Sequence, residues 1–205
     1  GGVAKRIIRF SIACVGHLPG GLAIAGVFAC MLFAALSGSS RATVVAIGGP
    51  LRPRLLQAGY SDAFTIALII NASDIALLIP PSIGMIVYGV VSATSIGELF
   101  IAGVGPGLLV LALFCGYCWV ASVRLKIPRQ PKADTDTRRR AVRGAILPMG
   151  FPVIVIGGIY AGIFSPTEAA AVSVLYAAIL EVVVFRELSI RQIPEIALST
   201  GVVTA

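Results

Sequence analysis

The chain has 205 residues, 58% of them drawn from AVILMFWYC and only 12% charged, with a mean hydropathy of +0.98. Soluble domains are about 25% charged, so this composition excludes a water-soluble globule and leaves an integral membrane protein. The net charge is +7, of which +6 comes from eight basic and two acidic residues between Arg124 and Arg143; with no basic face interleaved with aromatics and no recognised module, that excess reads as a cytoplasmic loop and not as a nucleic-acid surface.

Residues 1–62 read as an N-terminal arm and a re-entrant hairpin. Residues 10–40 are uncharged, but after Arg41 the next uncharged stretch, residues 42–51, has only ten residues. That is about 15 Å of helix against a hydrocarbon core of about 30 Å, too short to cross. Lys5, Arg6 and Arg9 precede the segment and Arg52 and Arg54 follow it, which puts both ends on the cytoplasmic face. The turn is expected at Ser37-Gly38-Ser39-Ser40, where small residues and hydroxyls replace helix formers. Irregular backbone at membrane depth survives only inside protein or beside a wet cavity.

Residues 63–97 are long enough to cross but are broken in the middle by Ile79-Pro80-Pro81-Ser82. Neither proline can donate to a helical ladder, and Pro80 disfavours helix at Ile79. Two half-helices, about 63–72 and 83–92, are therefore expected around an unwound linker. Their ends would expose carbonyls on one side of the gap and N–H groups on the other, suiting cations and anions respectively.

A full span follows within residues 98–123, whose uncharged run of 25 residues from Leu99 makes about 37 Å of helix. The basic cytoplasmic loop occupies 124–143. Residues 144–205 hold two more spans, 144–167 and 169–185, the latter interrupted only by Glu181, and the start of a further segment at Ile196. Between those spans Ser165-Pro166-Thr167-Glu168 has the form of a capping box with proline at the first helical position, so Glu168 is read as a helix cap. Crossings counted this way bring every basic cluster, including Arg186 and Arg191, to the cytoplasmic side. The chain opens without Met and stops inside an apolar run, the pattern expected of a fragment, and nothing at its start has the order of a signal peptide.

A Gly/Ser-rich re-entrant tip followed by a proline-broken helix is the combination expected of secondary transporters with sites near the bilayer midplane. Ser37, Ser39 and Ser40 can offer hydroxyl and carbonyl oxygens to Na⁺, a hard cation that prefers oxygen ligands; small residues there would equally serve close helix packing. The alternative class is a membrane thiol-disulfide oxidoreductase using Cys115 and Cys118, which form a CxxC. Both thiols lie in an uncharged spanning run with no cationic residue near in sequence, an inert setting for such chemistry. His17 is the single histidine and lacks a ligand-spaced partner, so no catalytic residue, no cofactor and no metal other than Na⁺ as coupling ion is expected.

Residues 33–48 (FAALSGSSRATVVAIG), 77–109 (LLIPPSIGMIVYGVVSATSIGELFIAGVGPGLL) and 162–177 (GIFSPTEAAAVSVLYA) resemble the large membrane subunit of tripartite ATP-independent periplasmic (TRAP) transporters. The similarity runs over nearly the whole chain and covers about the middle half of such a subunit. It implies a polytopic helical bundle, half of an inverted-repeat elevator transporter in the bacterial inner membrane. It also implies Na⁺-coupled import of a small carboxylate, such as a C4-dicarboxylate or sugar acid. The implied partners are a small four-helix membrane subunit and a periplasmic substrate-binding protein. Carried over by position, Ser37, Ser39, Ser40, Ser73, Asp74 and Ala76 would bind Na⁺, and Ser40, Arg41, Pro80, Pro81 and Ser82 would line the substrate site. Two positions depart from the family pattern. Ser73-Asp74-Ile75-Ala76 stands where Gly-Thr-Leu-Gly is usual, and Arg41 stands where a small residue often follows the serines. A charge at that depth is expensive and usually functional. Asp74 and Arg41 are expected to lie close together, either paired with each other or assisting Na⁺ and a substrate carboxylate respectively.

Overall fold

The computed structural model describes residues 2–189, 192–194 and 196–198, with Pro166 described by its backbone alone. Arg191 and most of the run beginning at Ile196 lie outside the described residues. Among the described residues every regular element is helical.

Helix α1 (Gly2–Val15) is amphipathic: Ala4, Ile7, Ile8 and Ser11 recur at helical spacing and are buried, whereas Lys5 and Arg9 are exposed. A turn at residues 16–20, with Gly20 at φ 70°, separates it from α2 (Gly21–Ser37). The uncharged run 10–40 is thus two elements, because Pro19-Gly20 ends one helix and allows the next to start. Helix α3 (Ser40–Gln57) continues well past the ten uncharged residues, through Arg52 and Arg54. Charge does not stop a helix, since arginine is among the better helix formers. Helices α2 and α3 are therefore similar in length, 17 and 18 residues, about 26 Å each. They lie antiparallel, with Gly26 of α2 facing Leu51 of α3 so closely that a Cβ on Gly26 would come within 2.7 Å of the leucine side chain.

The proline-broken helix has nearly the expected bounds. Helix α4 (Asp62–Ser73), capped by the Ser61 hydroxyl, runs into one 3-10 turn (Asp74–Leu77), and α5 (Ile83–Ser92) restarts behind Ser82, whose hydroxyl accepts from the Met85 N–H at 3.5 Å. Residues 78–82 between them carry no regular helix, as two consecutive residues without N–H groups dictate. Tyr60, in the turn before α4, donates to the Ser122 hydroxyl at 2.7 Å, which itself donates to the Cys118 carbonyl. Burial raises the Tyr60 phenol above its ordinary pKa, keeping it a donor at neutral pH.

Helix α6 (Ile96–Arg124) packs against the break from one side. A Cβ on Gly103 would lie 2.5 Å from the Leu78 carbonyl oxygen, and one on Gly107 would lie 2.6 Å from the Ile79 side chain. The small-xxx-small spacing of Gly103 and Gly107 is what lets two backbones approach here.

Helix α7 (Thr135–Tyr160) begins nine residues before the expected span, so the second half of the basic segment, Arg138 to Arg143, is helical and only 125–134 is a connection. Gly162 at φ 67° closes its end. Helix α8 (Pro166–Ile179) starts with the expected capping box: the Ser165 hydroxyl accepts from the Glu168 N–H and the Glu168 carboxylate accepts from the Ser165 N–H. A π turn (Leu180–Val184) extends it.

Three helical stretches, Ile96–Arg124, Thr135–Tyr160 and Thr167–Val184, are long and apolar enough to cross a membrane. Ile101, Leu108, Leu109, Leu113 and Trp119 of α6 are all more than half or about half exposed, a surface that lipid satisfies and water does not. The buried core joins α1, α2, α3, α4 and α6 through residues such as Ile7, Val27, Ile47, Leu68 and Leu111.

Gly103→Ala in the full-length subunit is expected to cost about 1–3 kcal/mol, because the added methyl meets backbone that cannot yield. Gly105→Ala, with open space around its Cβ, is expected to stay within about 0.5 kcal/mol of the parent. Thermal unfolding in detergent compares the two.

Candidate functional site

The hairpin tip is built by one glycine between two serines. The Gly38 N–H bonds back to the Ala34 carbonyl at 2.8 Å and its φ is 62°, closing α2 in the left-handed conformation that glycine adopts without steric cost. Ser39 is extended and caps α3, its hydroxyl accepting from the Ala42 N–H. The tip then meets the break directly: the Ile83 N–H donates to the Gly38 carbonyl at 3.1 Å, and a Cβ on Gly38 would lie 2.6 Å from the Pro81 carbonyl oxygen. Two helix N-termini, those of α3 and α5, converge here with the C-terminal end of α2, so N–H groups and carbonyls face one small region.

Oxygens crowd the tip. The Ser37 hydroxyl lies 3.3 Å from the Thr43 hydroxyl and accepts from the Ser39 N–H; the Thr43 hydroxyl donates to the Ser39 carbonyl at 2.9 Å. The Ser40 hydroxyl oxygen is buried without a protein partner, a costly state unless something else binds it. Thr43, fully buried, was not among the residues singled out in the sequence; its signal was its position four residues after Ser39, where a threonine hydroxyl reaches the preceding turn's carbonyl.

The remaining expected site residues are placed less centrally. Ser73 is buried and donates to the Ile69 carbonyl at 2.7 Å, with Cys30 of α2 at 3.8 Å. Cys30 is seven residues before Ser37, about 10 Å down the helix. Ala76 is fully buried, whereas Asp74 and Arg41 are exposed. No ion pair joins those two; among the described residues the pairs are Arg6 with Glu187 and Arg52 with Asp62. Pro80 is buried, Pro81 borders the tip, and buried Ser82 donates to the Leu77 carbonyl at 3.1 Å while capping α5.

Beside the tip lies a cavity of about 300 Å³, at the lower end of the range for small-molecule sites. Ser37, Gly38, Pro81 and Ile83 form one wall, and Phe151 of α7 and Ser173 of α8 stand on the other. The α7 and α8 contributions have no signature in sequence, since they are ordinary members of spanning helices. Cys115 and Cys118 are free thiols in the C-terminal third of unbroken α6, Cys118 fully buried, an enclosed setting in which a cysteine is structural and inert.

The family model of the tripartite ATP-independent periplasmic transporter, DctM component, matches residues 1–205. The chain belongs to this family. It is 62% identical over 202 residues to the ectoine/5-hydroxyectoine TRAP transporter large permease protein of Ruegeria pomeroyi, covering 98% of this chain and 47% of that protein. With the ectoine TRAP transporter large permease protein of Halomonas elongata it shares 61% over the same length, again 98% of this chain and 47% of the relative. With the C4-dicarboxylate TRAP transporter large permease protein of Pseudomonas aeruginosa it shares 45% over 204 residues, all of this chain and 48% of the relative. The chain thus spans about half the length of the curated relatives it matches. As a DctM-family chain with three long apolar helices it is a multi-pass protein of the bacterial inner membrane.

Gly38→Ala adds a left-handed strain and a clash with the Pro81 carbonyl, together about 2–3 kcal/mol. Because the strain falls on the tip, the full-length permease is expected to insert normally and to lose most uptake, read by membrane abundance alongside transport of substrate into proteoliposomes.

Proposed function

We propose that this chain is the part of a TRAP large permease that carries the first half of the transport site, and that the whole subunit imports a small carboxylate-bearing solute coupled to Na⁺. The observation that carries the reading is the meeting of the hairpin tip with the proline break, held by the bond from the Ile83 N–H to the Gly38 carbonyl. Helix ends of opposite polarity at one place suit a cation and a carboxylate together. In this reading the hydroxyl and carbonyl oxygens of Ser37, Ser39, Ser40 and Thr43 hold Na⁺, and the N-terminal ends of α3 and α5 face the carboxylate. Asp74 biases the region toward cations and Arg41 toward the substrate anion, each acting separately.

The substrate we place first is ectoine or 5-hydroxyectoine, supported by the 62% and 61% identity to permeases named for those solutes against 45% for one named for C4-dicarboxylates. A periplasmic binding protein delivers it, a small membrane subunit supports the permease, and the site is exposed alternately to the two sides by movement of the hairpin and broken helix against the spanning helices.

The test is uptake of labelled ectoine by the full-length permease, its small subunit and its binding protein in proteoliposomes. Import is expected only with an inward Na⁺ gradient, and equal rates without one would overturn the coupling. Ser40→Ala is expected to raise the Na⁺ concentration for half-maximal uptake by roughly tenfold, the equivalent of about 1.4 kcal/mol. Because Arg41 and Asp74 are unpaired, Arg41→Ala and Asp74→Ala should lower uptake additively, with a coupling below about 0.5 kcal/mol in the double-mutant cycle.

A further inference from the structure

At the end of the bundle away from the hairpin tip, three helices bring four arginines to one pocket of about 400 Å³: Arg6 and Arg9 of α1, Arg54 of α3 and Arg140 of α7. No carboxylate lines it among the described residues. Arg6 has a partial partner, Glu187 at 3.9 Å, and its guanidinium lies 3.9 Å from the centroid of the Phe185 ring, yet its Nε is buried with no hydrogen bond. Arg140 uses its Nε on the Asp136 carbonyl at 3.3 Å. Arg9 and Arg54 enter no ion pair among the described residues.

Guanidinium groups keep their charge at any physiological pH, so four of them around a partly enclosed space repel one another unless an anion occupies it. Their planar donor forks match phosphate oxygens in paired hydrogen bonds. Apart from Thr137, the rest of the lining is apolar, with Ile12, Ala13 and Ala141 beside the arginines, which suits a ligand whose charged head continues into ester and hydrocarbon. The basic residues place this end at the cytoplasmic leaflet, where anionic phospholipids are at hand and basic pockets between helices take their headgroups.

We propose that this pocket binds the phosphate headgroup of an anionic phospholipid from the cytoplasmic leaflet. The bound phosphate neutralises the arginines and ties the arm helix α1 to α3 of the hairpin and to α7, so the anchor of the hairpin becomes lipid-dependent. Free phosphate offers the same head chemistry without the hydrocarbon, and the test separates the two.

The experiment uses the full-length permease with its small subunit, delipidated in neutral detergent and titrated with phosphatidylglycerol, phosphatidylcholine or inorganic phosphate. Thermal unfolding and native mass spectrometry of retained lipid are the readouts. Phosphatidylglycerol near saturation is expected to raise the apparent Tm by about 5 °C, with phosphatidylcholine and inorganic phosphate giving little. Arg9→Gln combined with Arg140→Gln should abolish the shift, whereas Arg129→Gln with Lys132→Gln, which removes the same charge from residues outside the pocket, should keep it. Arg9→Lys, which keeps the charge but loses the fork, should retain phosphatidylglycerol roughly tenfold less well, and it stands in if the double variant does not fold. An undiminished shift in the pocket variants, an equal shift from phosphatidylcholine, or an equal shift from inorganic phosphate alone would each overturn the proposal.

Discussion

The bond between the Ile83 N–H and the Gly38 carbonyl joins two interruptions that neither segment could tolerate alone. An unwound stretch packed inside a helical bundle leaves peptide groups without intrahelical partners, each costly in an apolar medium. Here the two gaps satisfy one another in part: the tip supplies a carbonyl to the first N–H of α5, and serine hydroxyls cap α3 and α5. Of the polar groups left over at this junction, the buried Ser40 hydroxyl has no protein partner, and a cavity lies beside the tip.

Close approach of backbones at this place depends on missing side chains. Gly38 sits against Pro81 on one side of the break, and Gly103 and Gly107 sit against Leu78 and Ile79 on the other. The linker is thus held between the hairpin and α6 and is not a loose connection. A held linker keeps helix ends aimed at a fixed point, which is what preorganised recognition of charge requires.

Apart from Arg41 beside the tip, the arginines of this part of the bundle gather at its opposite end. The hairpin tip, rich in hydroxyls and carbonyls, lies at one end of α2 and α3, and arginines from α1, α3 and α7 gather at the other. Along α7 the division falls within one helix, whose N-terminal part carries Arg138 to Arg143 and whose C-terminal half borders the tip cavity through Phe151. Basic charge gathered at one end is the pattern that orients a helical protein in the bilayer under the positive-inside rule.

Local signals carried much of this architecture. The turn at residues 37–40, the two half-helices around Pro80-Pro81 and the capping box at Ser165 were legible because glycine, proline and capping serine act on the backbone within a few residues. The start of α7 was not legible from charge, since arginine marks the membrane boundary without ending a helix. The meeting of Gly38 with Pro81, the clamp by Gly103 and Gly107, the unpaired state of Arg41 and Asp74, and the convergence of Arg9 with Arg140 were decided only by tertiary packing. Each joins segments separated by tens of residues, and hydrophobic periodicity states which face of a helix is buried without stating which neighbour buries it.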